Sequence, residues 1–135
     1  MAPRSIETCI ATMTLVEPGF IEQRFLPGCR ISLPGFAENK AARMELCEGG
    51  RHVMLSVFPP DIDFELSVTQ SDHFAPERSA DLVVALAVVA GDNMVEMITK
   101  LYFSYFPQVF HTRICATEGE ARVWLKQYVP EEVSA

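Results

Sequence analysis

Basic residues are scarce in this sequence: its 135 residues include 11 Lys and Arg against 18 Asp and Glu, giving a net charge of −7. No cluster of basic residues is available to neutralise consecutive phosphates, so nucleic acids and anionic membrane surfaces are not expected partners. Long hydrophobic runs are missing as well, because the longest one, at residues 82–89, lies between Asp81 and Asp92 and is too short to cross a bilayer. We therefore expect no nucleic-acid binding and no membrane insertion.

Motifs that carry chemistry are also missing. The sequence has no CxxC pair, no HxxxH or HxH spacing, and no GxGxxG or P-loop pattern, so it predicts no cofactor, no metal site and no catalytic residue. Residues 1–5 show no apolar leader, and we expect a cytoplasmic protein with reduced thiols. Cys9 and Cys115 fall within predicted strands, where a small buried thiol is expected.

The apolar run at residues 82–89 is the centre of the predicted fold. It is unbroken and rich in Val, which is typical of a strand inside a sheet with both faces covered. Gly91 and Asp92 end this run, and Asn93 and Glu96 have the spacing of a capping box before a helix that continues to Pro107. These residues predict a unit of strand, tight turn and helix.

The chain before this unit predicts a hairpin, a helix and a third strand. Residues 8–15 alternate with the period of a strand, and residues 20–26 form its partner after the turn at Pro18-Gly19. Ser32 is predicted to cap a helix that ends at Gly49, and a strand follows at residues 52–58. The predicted core-facing residues are Cys9, Ala11, Met13 and Leu15 in the hairpin and Ala37, Ala41, Met44 and Cys47 in the helix, whereas Glu38, Lys40, Arg43 and Glu45 are predicted to face solvent.

The remaining elements complete an α/β pattern. Asp61, Asp63 and Phe64 are predicted to open a short helix that continues to about Phe74. A last strand at residues 112–116 is followed by a helix that Thr117 caps and that carries a clear amphipathic stripe. A hairpin followed by alternating helices and strands predicts a mixed sheet whose later strands are parallel, within a single domain.

Four segments of this pattern resemble the SpoIIAA-like (STAS-like) family of small bacterial proteins: residues 25–33, 43–51, 112–114 and 120–126. The resemblance implies one STAS-like domain over residues 1–135, with its core at about residues 8–128, an N-terminal hairpin and a β-α superhelix. Anti-sigma-factor antagonists and the STAS domains of anion transporters have this fold. Related members are also compared with Sec14-type lipid-binding domains.

The antagonists of this family carry a phosphorylatable serine where a helix follows the middle strand, commonly between an aspartate and a glycine. In this sequence no serine directly follows Asp61 or Asp63, and these carboxylates would repel a phosphate on the nearby Ser67 or Thr69. We therefore expect no phosphorylation switch at this corner. Instead, the corner is predicted to bind a protein partner constitutively through four side chains: Phe58, Asp61, Asp63 and Phe64.

The predicted helix at residues 93–106 contains more apolar surface than a sheet requires. One stripe is predicted to cover the sheet: Met94, Met97 or Ile98, Leu101 and Tyr105. Further apolar side chains lie on the other side and continue after the helix: Val95, Tyr102, Phe103, Phe106 and Phe110. The surplus fits three interpretations, which are packing beneath a neighbouring helix, a dimer interface, and a pocket for an apolar ligand.

These observations together predict a non-catalytic STAS-like regulatory or interaction module that binds a protein partner or itself, as a homodimer. The alternative is a carrier or sensor of a small apolar ligand held between helix and sheet, as the comparison with Sec14-type domains implies. An enzyme ranks third, because no catalytic motif supports it.

The central position of residues 82–89 is tested by the substitution Leu86→Asp. A buried, unpaired carboxylate costs several kcal/mol, which is of the order of the whole free energy of unfolding of a small domain. We expect this variant not to fold, as measured by circular dichroism and thermal denaturation. A soluble variant with a cooperative melting transition would contradict the assignment of this strand.

Overall fold

A computed structural model of the protein describes residues 4–70, 82–108 and 110–130. Within these ranges the strands are β1 (Arg4–Glu7), β2 (Ala11–Glu17), β3 (Phe20–Phe25), β4 (Arg30–Ile31), β5 (His52–Val57), β6 (Asp63–Phe64), β7 (Val83–Val89) and β8 (His111–Cys115). The α-helices are α1 (Leu33–Cys47), α2 (Asn93–Tyr105) and α3 (Glu118–Lys126), and a short 3-10 helix lies at Leu66–Gln70.

Six of these strands form one mixed sheet in the order β1-β2-β3-β5-β7-β8. The first three strands pair antiparallel, whereas β3, β5, β7 and β8 pair parallel. The short strands β4 and β6 pair with each other, separately from the large sheet. This arrangement confirms the predicted α/β class, the N-terminal hairpin and the parallel later strands. The edge strand β1 was not predicted, because its residues are mostly polar and exposed.

The predicted central strand is confirmed: β7 lies between β5 and β8. Its side chains alternate between the two faces of the sheet. Leu86 and Val88 pack in one hydrophobic cluster, with residues of α1 and α2. Ala85, Ala87 and Val89 pack in a second cluster, with Ala121 and Leu125 of α3. The strand contains no polar residue because neither of its faces reaches water.

A hydroxyl or carboxylate side chain caps the N-terminus of each of the three described α-helices. The Ser32 hydroxyl accepts a hydrogen bond from the backbone N–H of Gly35, and the Thr117 hydroxyl accepts one from Glu120, as predicted. The prediction for α2 was wrong by one residue, because Asp92 is the N-cap and accepts from Val95 at 2.9 Å. A carboxylate suits this position because it also complements the positive end of the helix dipole.

The predicted buried face of α1 was wrong for Ala37 and Ala41, whereas Cys47 packs against the core as predicted. Ala37 and Ala41 are exposed, and the helix instead buries a face that includes two polar side chains: Gly35, Asn39, Ala42, Arg43 and Leu46. The pattern of apolar residues does not mark this face because Asn39 and Arg43 are buried against polar partners on the sheet. A buried polar group is tolerated when it is hydrogen-bonded.

Two further expectations are corrected. Asp61, Asp63 and Phe64 do not open a helix, because Asp63 and Phe64 pair with β4 and the 3-10 helix begins only at Leu66. The predicted end of that helix near Phe74 lies outside the described residues. Cys9 is exposed and precedes β2 rather than lying in a strand, whereas Cys115 is buried in β8 as predicted.

Gly91 has no room for a side chain. A Cβ atom at this position would lie 2.4 Å from the carbonyl carbon of Pro59 and from the nitrogen of Pro60. Both are backbone atoms, so they cannot move aside as the end of a flexible side chain would. The turn between β7 and α2 is therefore packed directly against the segment that follows β5.

The substitution Gly91→Ala is expected to lower the free energy of unfolding by about 1–3 kcal/mol, because the new methyl group forces the backbone apart. Gly119→Ala is the matched control. No atom lies within 4 Å of a Cβ there, and alanine is favoured over glycine in a helix. Thermal denaturation should show a lower melting temperature for the first variant and an equal or higher one for the second. Equal melting temperatures for the two variants would contradict the close contact.

Candidate functional site

A cavity of about 320 Å³ lies on the face of the sheet that α1 and α2 cover. Its floor consists of side chains from three adjacent strands: Gln23 of β3, Met54 and Ser56 of β5, and Leu86 and Val88 of β7. One wall comes from α1 and the other from α2, and the 3-10 helix contributes Val68 and Thr69. The cavity is thus bounded by elements that are far apart in the sequence.

The cavity exists because α2 makes little direct contact with the sheet. In this helix only Val95 and Thr99 are buried. The buried Thr99 hydroxyl is satisfied because it donates a hydrogen bond to the carbonyl oxygen of Val95 at 2.8 Å. Beyond this contact, Ile98, Tyr102 and Phe103 are only half-buried and line the cavity. The space between helix and sheet is therefore left open.

Aromatic rings form much of the apolar part of the cavity. Phe58 stacks on Phe25 with ring centroids 4.3 Å apart, and Phe64 lies 6.0 Å from Phe58. On the opposite wall, Tyr102 and Phe103 meet edge to face at 5.2 Å. Such contacts hold large side chains in fixed positions. The apolar surface of the cavity is consequently well defined.

Polar side chains also line the cavity, and hydrogen bonds join three of them and Thr8 in a chain. The Thr8 hydroxyl donates to Oδ1 of Asn39 at 2.5 Å, and Nδ2 of Asn39 donates to Oε1 of Gln23 at 3.0 Å. Nε2 of Gln23 donates to the hydroxyl oxygen of Ser56 at 2.9 Å. Asn39, Gln23 and Ser56 are each at most 7% exposed and each line the cavity. This chain of bonds links α1 to β3 and β5.

Arg43 brings a buried positive charge to the same region. It is 4% exposed, and its Nη1 lies 3.1 Å from Nε2 of His52, whose Nδ1 lies 2.9 Å from the carbonyl oxygen of Gly50. An arginine can only donate, so Nε2 of His52 must accept and Nδ1 carries the hydrogen. This contact joins α1 to the beginning of β5.

Two basic residues, Lys40 and Arg43, line the cavity, and among the described residues that line it there is no Asp or Glu. Both residues make further interactions within the protein. The hydrogen-bonding groups that the structure describes in the lining therefore belong mainly to Gln23, Asn39 and Ser56.

Three thiols, those of Cys9, Cys29 and Cys115, have a pKa above the usual value. Burial raises the pKa of Cys29 and of Cys115, and desolvation, followed by the nearby Glu38 carboxylate, raises the pKa of Cys9. A raised pKa lowers the fraction of thiolate, which is the nucleophilic form. Among the described residues, no three His, Cys, Asp or Glu side chains come together as a metal site.

The residues predicted to form a partner-binding corner are separated by the structure. Phe58 is 9% exposed and belongs to the core, which corrects the expectation of a surface residue. Phe64 and Thr69 line the cavity, and Thr69 donates its hydroxyl to the carbonyl oxygen of Leu66. The remaining three are exposed: Asp61, Asp63 and Ser67.

Asp92 joins this corner to α2. Its Oδ1 accepts from the backbone N–H of Val95, and its Oδ2 accepts from the backbone N–H of Asp61 at 3.1 Å. These two hydrogen bonds, the one from Val95 first, lower the pKa of Asp92 because they favour its charged form. One carboxylate thus fixes both the start of the helix and the acidic corner.

The surplus apolar residues of α2 also have defined positions. Tyr102 and Phe103 line the cavity, whereas Phe106 and Phe110 are half-buried outside it. The stripe that was predicted to cover the sheet is the exposed one, so that prediction was wrong: Met94, Met97, Leu101 and Tyr105 are between 53% and 77% exposed. Both faces of the helix are apolar, and apolar character alone does not decide which face packs inward.

The polar part of the site was missed from the sequence. Ile21, Gln23 and Phe25 share one face of β3 and all three are buried. A glutamine between two apolar residues at a spacing of two is the signal that a polar side chain faces the core. For Asn39 and Arg43 no comparable signal exists, because both resemble residues of a solvated helix face.

No protein-family model matches the sequence, and no curated protein is significantly similar to it. Among solved structures, the chain is similar to an uncharacterised protein of the DUF3478 family from Shewanella loihica PV-4, whose crystal structure has a SpoIIAA-like fold. The TM-score is 0.57, the sequence identity is 10%, and the match covers 92% of each chain. This protein has a SpoIIAA-like fold.

In this SpoIIAA-like protein the corner that follows the middle strand β5 lies beside the cavity. Phe58 and Phe64 bring the corner's apolar side chains to the cavity wall, while Asp61 and Asp63 remain in water. Within the described ranges, no helix combines the length and the apolar character that a bilayer-spanning segment requires.

Proposed function

We propose that this SpoIIAA-like protein is a non-catalytic carrier or sensor that binds a small, mainly apolar ligand in the cavity between α1, α2 and the sheet. The cavity itself is the observation that carries the proposal. Its volume of about 320 Å³ falls at the lower end of the range of about 300–1,000 Å³ that is usual for ligand pockets. Apolar side chains form most of its lining, and hydrogen-bonded polar side chains of α1, β3 and β5 also line it.

The character of the lining supports binding rather than catalysis. Among the described residues that line the cavity there is no carboxylate, imidazole or thiol. These are the groups that most often transfer protons or attack substrates. Ser56 and Thr69 line the cavity and carry hydroxyl groups that could act as nucleophiles. Ser56 is hydrogen-bonded to the amide of Gln23 and Thr69 to the carbonyl oxygen of Leu66, and neither of these groups is a base. A serine without a base is a weak nucleophile.

A second candidate function is self-association through the outer face of α2, the exposed stripe of Met94, Met97, Leu101 and Tyr105. Methionine and tyrosine are enriched where folded surfaces meet other proteins. Lys100 and Glu96 form an exposed ion pair on the same helix, with their charged atoms 3.1 Å apart. An isologous contact between two copies of α2 would bury this stripe against the same stripe of the second copy. A homodimer is thus the proposed partner of this face.

Ligand binding is tested by closing the mouth of the cavity with Ala37→Trp. Ala37 is exposed and lines the cavity, and Ala41, one turn later, is exposed and does not line it. We expect Ala37→Trp to weaken binding of the apolar fluorophore N-phenyl-1-naphthylamine by about tenfold or more, because the ring fills space that the ligand needs. Fluorescence titration measures the affinity, with Ala41→Trp as the matched control.

Both tryptophan variants should keep the circular-dichroism spectrum of the unmodified protein, because the two positions are exposed. Equal affinity in Ala37→Trp and Ala41→Trp would show that the fluorophore binds elsewhere. No binding to the unmodified protein would contradict the proposed function directly.

Self-association is tested by Leu101→Glu. This variant places a charge in the middle of the exposed stripe, and in a two-fold contact the charge occurs twice. Sedimentation at micromolar concentration is expected to show a dimer for the unmodified protein and a monomer for the variant. Val123→Glu is the control, since Val123 is 74% exposed on α3. A monomeric unmodified protein would refute the dimer.

A further inference from the structure

We propose that the ligand of this cavity is a neutral, mainly apolar molecule with one carbonyl group, to which the Ser56 hydroxyl donates a hydrogen bond. Ser56 belongs to β5, lines the cavity and is 4% exposed. This inference rests on the proposed function and names the chemical class of its ligand.

The position of Ser56 in β5 presents its hydroxyl to the cavity. Side chains two residues apart lie on the same face of a strand, and Met54, Ser56 and Phe58 all line the cavity. Within the sheet, Ser56 lies between Gln23 of β3 and Val88 of β7, which line the cavity as well. The hydroxyl therefore lies on the cavity floor, with a polar neighbour on one side and an apolar neighbour on the other.

The direction of the buried hydrogen-bond chain is set at Thr8. Its hydroxyl oxygen accepts from the backbone N–H groups of Ile10 and Ala11, at 3.3 and 3.0 Å, and these two bonds use both of its lone pairs. The same oxygen lies 2.5 Å from Oδ1 of Asn39 and 3.2 Å from the carbonyl oxygen of Ala11. The Thr8 hydrogen therefore goes to Asn39, which presents its oxygen to Thr8 and its nitrogen to the next member of the chain.

The later bonds of the chain run in the same direction and end at Ser56. Nδ2 of Asn39 donates to Oε1 of Gln23 at 3.0 Å, and Nε2 of Gln23 donates to the hydroxyl oxygen of Ser56 at 2.9 Å. Ser56 thus accepts in this chain, and its own hydrogen is left over. In the described part of the chain, this hydrogen has no acceptor.

Unused hydrogens in a buried place favour a ligand that accepts hydrogen bonds. The amide nitrogens of Gln23 and Asn39 each use one of their two hydrogens in the chain, and both residues, like Ser56, are at most 7% exposed and line the cavity. Buried donors are costly to leave unpaired. A ligand without an acceptor displaces water from these groups and leaves them unpaired, whereas a carbonyl oxygen pairs with Ser56, so the site discriminates between the two.

A neutral carbonyl meets this need at a lower cost than an ion does. Burying an isolated charge costs far more than burying a polar group that is hydrogen-bonded. Most of the lining is apolar, and four of its side chains are aromatic: Phe58, Phe64, Tyr102 and Phe103. These rings suit an apolar body, and the ligand consequently combines such a body with a single acceptor.

The cavity volume limits the size of the ligand. A cavity of about 150 Å³ holds benzene, with its six carbon atoms. A volume of about 320 Å³ therefore holds roughly a dozen non-hydrogen atoms on the same scale. A bicyclic aromatic ketone such as tetralone has this size, whereas a lipid with two acyl chains is several times larger. The site consequently fits a compact carbonyl compound and excludes membrane phospholipids.

The test compares two probes of equal size, tetralone and methylenetetralin, in which a CH₂ group replaces the carbonyl oxygen. Displacement of N-phenyl-1-naphthylamine measures the affinity of each probe for the unmodified protein and for Ser56→Ala. We expect Ser56→Ala to weaken the binding of tetralone about tenfold and to leave that of methylenetetralin unchanged, because only the ketone accepts from the hydroxyl. Comparing the two changes separates the hydrogen bond from general effects of packing.

Thr69→Val is the matched control for the loss of a hydroxyl group. Thr69 also lines the cavity, but its hydroxyl already donates to the carbonyl oxygen of Leu66 at 2.8 Å. This variant is therefore expected to change the affinities of tetralone and methylenetetralin by the same factor.

A second measurement observes the carbonyl group directly. A hydrogen bond weakens the C=O bond, so the infrared carbonyl band of tetralone bound to the unmodified protein should lie at lower frequency than that of tetralone in hexane. In Ser56→Ala the band should return towards the value in hexane. The comparison of the unmodified protein with hexane does not depend on the folding of any variant.

The outcomes separate the two proposals. Equal effects of Ser56→Ala on the two probes, or a carbonyl band of bound tetralone at the frequency found in hexane, would overturn the carbonyl ligand and leave the cavity as an apolar ligand site. If neither probe displaces the fluorophore and the fluorophore itself does not bind, the proposed function fails, and this inference fails with it.

Discussion

The hydrogen bond between Asn39 of α1 and Gln23 of β3 is the constraint on which the rest of this structure depends. Both side chains are buried, and each would be costly to bury alone. Their bond fixes the rotation of α1 about its own axis, so that a polar face points to the sheet and Ala37 and Ala41 point to water. The same two amides also fix the positions of two neighbouring hydroxyl groups, because Asn39 bonds to Thr8 and Gln23 bonds to Ser56.

The cavity results from an unequal packing of two helices on one face of the sheet. Hydrogen bonds tie α1 to the strands, whereas α2 buries only Val95 and Thr99, and its Tyr102 and Phe103 line the cavity. The opposite face shows what full packing gives, since Ala121 and Leu125 of α3 lie directly on β7 and β5 and are completely buried. The difference between the two faces is therefore a difference between a closely packed layer and a layer that encloses a cavity.

Most of the fold was predictable because its signals are local. The unbroken run at residues 82–89 identified the central strand, and Ser32 and Thr117 identified two helix starts through side chains that bond to backbone three residues away. The site was less predictable because its polar members bond across long separations, such as the 31 residues between Thr8 and Asn39. A single helix with two apolar faces, as in α2, gave no local reason to choose the face of Val95 over that of Leu101.

The Asp92 side chain connects α2 to the segment that follows β5. One carboxylate group holds the first turn of α2 and the backbone of Asp61 together, and Gly91 lets the Phe58 to Pro60 backbone lie in direct contact beneath them. The helix that forms one wall of the cavity and the exposed acidic corner are thus joined through a single side chain. A displacement of the first turn of α2 would therefore break the hydrogen bond to the backbone of Asp61 or move that backbone with it.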